Sequence, residues 1–193
     1  MLSRCFAALS ALACVSATPL PYTPATQSGI RASLHPEVVK VDCLTGAGTA
    51  FRVGRHTLYS ARHVTTLKGC FIDGKPFEVW EGPGDYSIIT VTDDSPKYLK
   101  VDCDGFVANR HYIARGYARG LDTLTDVDLT ATGTSMDIFA VLSGVFTVIP
   151  GQSGGPVIDP ATGKAVGITN LYNMQAGMSG SIPLKATPIC QRS

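Results

Sequence analysis

Charge is scarce in this chain and nearly balanced: 16 Lys and Arg against 15 Asp and Glu give a formal net charge of +1 over 193 residues. Proteins that grip nucleic acid through its phosphates carry a surplus of cations, so this balance argues against a nucleic-acid partner. No basic stripe with interleaved aromatics appears either. Long hydrophobic runs are missing. No stretch reaches the roughly 18 apolar residues of a membrane span, so no stable membrane insertion is expected once a leader is removed. No long stretch past the N-terminus carries helical periodicity. Close Cys/His pairs at ligand spacing are absent, which leaves no expected metal, and no organic cofactor is implied. What remains is a chain with 45% apolar and 16% charged residues, enough for one compact domain or two small barrels sharing a cleft.

The N-terminus reads as a signal peptide over residues 1–17. Arg4 supplies a positive end, Cys5 to Val15 an apolar core, and Val15-Ser16-Ala17 small residues before a mature start at Thr18. A short retained helix, or a lipoprotein cut before Cys14, are the alternatives. Residues 18–37 hold four prolines among Ser, Thr and Gln and read as an N-terminal arm. Beyond the leader four cysteines remain, Cys43, Cys70, Cys103 and Cys190. In an exported chain an even count favours disulfides, with three pairings open; free thiols in a reducing compartment are the other reading.

From Val38 onward short runs of strand formers alternate with turn signals. Strands are expected near 38–44, 48–53, 57–61, 70–72, 77–80, 86–92, 98–102, 111–117, 126–132, 138–148, 156–159, 164–170 and 179–184. Asp159-Pro160-Ala161-Thr162-Gly163 is a hairpin turn between two of them. Many short strands with regular turns indicate a closed all-β architecture. A boundary near Asp94–Pro96 divides it into segments 38–96 and 97–193. Lys40-Val41-Asp42-Cys43 and Lys100-Val101-Asp102-Cys103 recur in the two halves, but four residues are too few to establish duplication.

Gly151-Gln152-Ser153-Gly154-Gly155-Pro156 carries the chemistry. A serine hydroxyl attacks a carbonyl well only when a base takes its proton and donors receive the oxyanion. The glycine two positions earlier lets the N–H groups of Gly151 and Ser153 face one point, and the later glycines allow close approach of strands and substrate. Among four histidines, His63 closes an apolar-leaning run, whereas His35, His56 and His111 lie in a Pro-rich lead-in, a turn and a solvated strand start. Asp85 follows Gly82-Pro83-Gly84 and opens the strand run Tyr86 to Val91, where a carboxylate can be shielded and kept ionised to orient the imidazole. Asp73, Asp93 and Asp94 read as solvated turn or loop residues.

The order His63, Asp85, Ser153, with Ala61-Arg62-His63 and Gly-x-Ser-Gly-Gly-Pro, resembles the chymotrypsin-like (trypsin-fold) serine proteases over residues 38–187. It is closer in pattern to the Deg-type, high-temperature-requirement branch than to digestive trypsins, without that branch's peptide-binding domain. Arg62 departs from the Ala or Asn more usual before the histidine. The resemblance implies two six-stranded antiparallel Greek-key β-barrels about a cleft, a polypeptide substrate, and hydrolysis through an acyl-enzyme. It implies a Cys43–Cys70 bridge, leaving Cys103–Cys190, and an extracytoplasmic location. Thr147, six residues before Ser153, would form the base of the specificity pocket, and Thr169 and Asn170 its wall; the uncharged set favours small or medium substrate side chains over Lys or Arg. Gln152 stands where digestive enzymes carry the Asp that pairs with a newly cut N-terminus, so that activation switch is not expected. A catalytically inactive barrel used for binding, and a virus- or phage-encoded processing protease, are the competing readings.

Overall fold

The structure, a computed structural model, describes residues 35–94, 97–135, 139–144, 148–173 and 178–191. The expected leader, the arm as far as residue 34, and Thr147 lie outside the described residues. Eleven strands and two one-turn helices make up most of it.

The first half is a five-stranded antiparallel sheet in the order β1-β2-β3-β5-β4, built from Val38–Cys43, Gly46–Arg52, Thr57–Ser60, Ser87–Thr90 and Glu78–Glu81 respectively. The one-turn helix α1, Arg62–Thr65, follows β3. The second half is a closed barrel, β10-β11-β8-β7-β6-β9, with β6 His111–Tyr117, β7 Leu124–Ser135, β8 Phe139–Ser143, β9 Pro156–Asp159, β10 Lys164–Asn173 and β11 Met178–Pro183. The one-turn helix α2, Pro188–Gln191, ends the described chain.

The all-β, two-part antiparallel architecture is as expected: the second half closes as a six-stranded barrel, and the first contributes five antiparallel strands among the described residues. The strand expected at 70–72 is reduced to two bridges, Asp42 with Phe71 and Ile72 with Lys75. Left-handed backbone at Gly69 (φ 56°), Asp73 (φ 51°) and Gly74 (φ 71°) bends the chain on both sides, leaving too few extended residues for a ladder. The strand expected at 98–102 is likewise a single parallel bridge, Val101 with Ala165. It takes the start of β10 that β11 leaves unpaired, since β11 pairs only from Gly167 onward.

Period-two alternation explains how the halves meet. Leu58 and Tyr59 are neighbours on β3 and face opposite ways. Leu58 joins Val39, Val41, Ala50 and Ile89 inside the first sheet; Tyr59 joins Val38, Phe51 and Tyr86 against Ala165, Ile168 and Leu184 of the second half. The first sheet is therefore apolar on both faces, and the second apolar face is the joint between halves. Fully burying one such Leu or Phe side chain is worth about 1.5–3 kcal/mol, so this layer holds the halves in fixed register. The barrel has its own core around Tyr112, Leu129, Leu142, Val157 and Val166. Disulfides join Cys43 to Cys70 and Cys103 to Cys190.

Candidate active site

His63 is the second residue of α1, set beside Asp85 in the loop before β5. The two are fixed at two points: the His63 backbone N–H donates to Asp85 Oδ1 at 2.9 Å, and ring Nδ1 lies 2.6 Å from Oδ2. The Arg62 N–H also reaches the Asp85 carbonyl, at 3.3 Å. Burial pushes the Asp85 carboxyl up, but the His63 side-chain and backbone hydrogen bonds, the His63 charge and the Asn170 amide together hold it below the ordinary carboxylate range. The His63 side chain remains 45% exposed, so its other edge is open to the cleft.

Ser153 comes from the other half. Ile149-Pro150-Gly151-Gln152 forms a turn closed by Gln152 N–H to Ile149 O at 3.1 Å, with Gly151 at φ 95°. Proline followed by a positive-φ glycine is the signature of a type II turn. The Arg119 N–H donates to Pro150 O on one side of this turn. Beyond Ser153, Gly154 N–H donates to Thr169 O at 2.7 Å, and Thr169 N–H to Gly155 O at 2.8 Å, docking the loop on β10. Gly154 sits at φ 87°, and a Cβ there would lie 2.1 Å from Thr49 O and 2.3 Å from Ser60 Oγ. The two halves approach too closely at that point for any side chain.

Asn170 spans the pair and the serine. Its Nδ2 donates to the Asp85 carbonyl, and its own carbonyl accepts the Ser153 hydroxyl, each at 3.3 Å. Among the described residues the Ser153 hydroxyl makes this contact and none with His63. Asn170, expected in the pocket wall, thus directs its amide to the Asp85 loop. The neighbouring Thr169 is 1% exposed, and its hydroxyl is buried without a hydrogen-bond partner among the described residues.

The other histidines are engaged elsewhere: His35 with Glu37 and Arg115, His56 with the Asp93 carbonyl, His111 with Asp128. Asp93 pairs with Arg52 and Asp94 with Arg55, while Asp73 occupies its turn.

Two residues of consequence escaped sequence reasoning, and a third acquired a partner. Gln152 is fully buried. Its Oε1 accepts from Ile149 N–H at 3.0 Å, and its Nε2 donates to Thr125 Oγ1 at 2.8 Å and to the Thr125 carbonyl at 3.2 Å. Every polar atom of this neutral side chain is satisfied within the fold. Thr49, also fully buried, donates its hydroxyl to Gly151 O at 2.7 Å and its N–H to Ser153 O at 2.9 Å. Arg119 adopts φ 54°, unusual for a residue with a side chain. No sequence signal marked Thr49 or Arg119, because the Thr49 hydroxyl finds its partners far along the chain and Arg119 acts through backbone geometry.

No protein-family profile and no curated protein matches the sequence. Solved structures do match. The Rv3671c protease in its inactive form aligns with TM-score 0.62 and 21% identity, over 77% of this chain and 83% of that one. The architecture is the trypsin-like serine protease fold. Other structures with this trypsin-like fold include a serine endoprotease from Yersinia pestis (TM-score 0.65, 17% identity, 81% of this chain) and the HtrA-type protease AlgW with tripeptide (TM-score 0.65, 18% identity, 81% of this chain). The match takes in 62% and 58% of those two longer chains. In the trypsin-like fold of this protein, as the geometry above describes, His63 and Asp85 come from the first half and Ser153 from the second.

Proposed function

We propose that the protein is a serine endopeptidase that cleaves peptide bonds through an acyl-enzyme. The observation that carries this reading is the two-point hold of His63 on Asp85, beside a serine loop of the trypsin-like fold. With Nδ1 committed to the carboxylate, the imidazole keeps Nε2 as the free base. Ser153 turns from Asn170 O toward His63, gives its proton to Nε2, and its Oγ bonds the scissile carbonyl carbon. The carbonyl oxygen becomes an oxyanion between the N–H groups of Gly151 and Ser153. His63 returns the proton to the leaving amine as the C–N bond breaks. Water, deprotonated by the same nitrogen, then releases the acid and restores the serine. A lowered Asp85 pKa suits this cycle, since the residue stays an anion while the imidazolium forms and decays.

The specificity pocket of this reading has Thr147 at its base and Thr169 and Asn170 in its wall. Uncharged groups there favour small or medium substrate side chains over Lys or Arg, which would need a buried carboxylate partner. Two disulfides and the leader-like N-terminus support an extracytoplasmic site of action.

One observation favours the competing, non-catalytic reading: the Ser153 hydroxyl rests on Asn170 O rather than on His63. Resting-state catalytic contacts are often loose and tighten only with substrate, so this observation weighs little. A fluorophosphonate probe separates the two. Labelling of the wild type, abolished in Ser153→Ala and His63→Ala, is expected, with peptide hydrolysis falling by about four to six orders of magnitude in both variants. An unlabelled, folded wild type would leave the binding-module reading standing.

A further inference from the structure

The Gly151 N–H belongs to the Pro150–Gly151 peptide plane, so its direction is set by whatever holds the opposite edge of that plane, the Pro150 carbonyl. That carbonyl accepts from the Arg119 N–H. Arg119 lies in the tight turn Ala118–Gly120, in left-handed backbone that costs on the order of 1 kcal/mol or more and persists only where its surroundings enforce it. The turn is packed hard on Gly151: a Cβ there would lie 2.3 Å from Tyr117 O and 2.8 Å from Arg119 N.

One hydroxyl also bridges the two segments. Thr49 Oγ1, on β2 of the first half, accepts the Tyr117 N–H at 3.0 Å and donates to Gly151 O at 2.7 Å. Its own carbonyl is held by Ser60 Oγ at 2.8 Å and its N–H by Ser153 O, so the hydroxyl has little freedom to drift. We propose that the Thr49 hydroxyl is a positioning group for the oxyanion site: it ties the Tyr117 turn to Gly151 and keeps the Gly151 N–H in its donating orientation. The proposal rests on the peptidase reading. It adds that the first half supplies part of the order in the anion site as well as the base.

The test compares Thr49→Val, which keeps the shape and deletes the hydroxyl, with Thr49→Ser, which keeps the hydroxyl. In the full chain, Thr49→Val is expected to lower kcat on a peptide substrate about 10- to 100-fold, part of what one lost oxyanion donor costs, with KM changed less than about threefold. Affinity for a peptidyl trifluoromethyl ketone, whose hemiketal oxygen occupies the same site, should fall by a similar factor. Amide exchange at Tyr117 should quicken in Thr49→Val and stay slow in Thr49→Ser, and Thr49→Ser should recover most of kcat. Unchanged kcat in a folded Thr49→Val protein overturns the proposal. Equal damage from Val and Ser also overturns it, since packing rather than the hydroxyl would then matter. A wild type that neither hydrolyses peptides nor labels at Ser153 fails the peptidase reading itself, which is distinguishable because no variant is needed to see it.

Discussion

Asp85 shows how one carboxylate is held against its own burial. Two hydrogen bonds from His63 lower its pKa below the ordinary range while desolvation pulls the other way. The sign of the pH effect follows. A group whose folded pKa is depressed adds stability at pH values above its unfolded pKa, about 3.9 for Asp, and loses it as pH falls through the lower folded value. Wild-type stability should therefore decline below about pH 4 more steeply than that of Asp85→Asn, measured as urea midpoints across pH 2–6. Parallel curves for the two proteins would remove Asp85 from the acid response. Because the group is part-exposed, the difference should be modest.

Strands and turns locate the serine, and at their meeting point the backbone has no room for a side chain. Gly154→Ala forces a Cβ onto the Thr49 carbonyl and onto a positive φ together. Overpacking and backbone strain should combine to about 2–4 kcal/mol of lost stability, read from denaturant unfolding. A loss under about 0.5 kcal/mol would mean that the halves are not held as closely as described. At this scale the sequence was legible where local signals sufficed. The hairpin turn at 159–163 and the Gly-x-Ser-Gly-Gly-Pro loop carry their own turn chemistry, and β6 carries period-two alternation. Legibility failed where partners lie far along the chain. The 70–72 run has strand formers, but flanking left-handed residues cut it short. The 98–102 run meets β10 in a single bridge, Val101 with Ala165, in the short stretch that precedes the pairing of β10 with β11. In the site, residue types betrayed His63, Asp85 and Ser153, whereas Thr49 is an ordinary strand threonine until the second half is set against it.

At the scale of the whole chain, the Cys103–Cys190 bridge spans 87 residues and Cys43–Cys70 spans 27. Loop-closure entropy grows with the logarithm of length, so the long bridge should contribute more; typical single disulfides are worth about 2–4 kcal/mol. A Cys103→Ala/Cys190→Ala protein should lose that order of stability in thermal or urea unfolding, and the loss should exceed that of Cys43→Ala/Cys70→Ala. The reverse ranking would mean that the short bridge beside α1 acts through the native state. Gln152 carries a last consequence for the molecule as a whole. Its neutral amide is sealed and fully satisfied by Ile149 and Thr125, so position 152 itself holds no buried charge for a freshly cut terminus to pair with. On the peptidase reading, competence would therefore not wait on that ion pair.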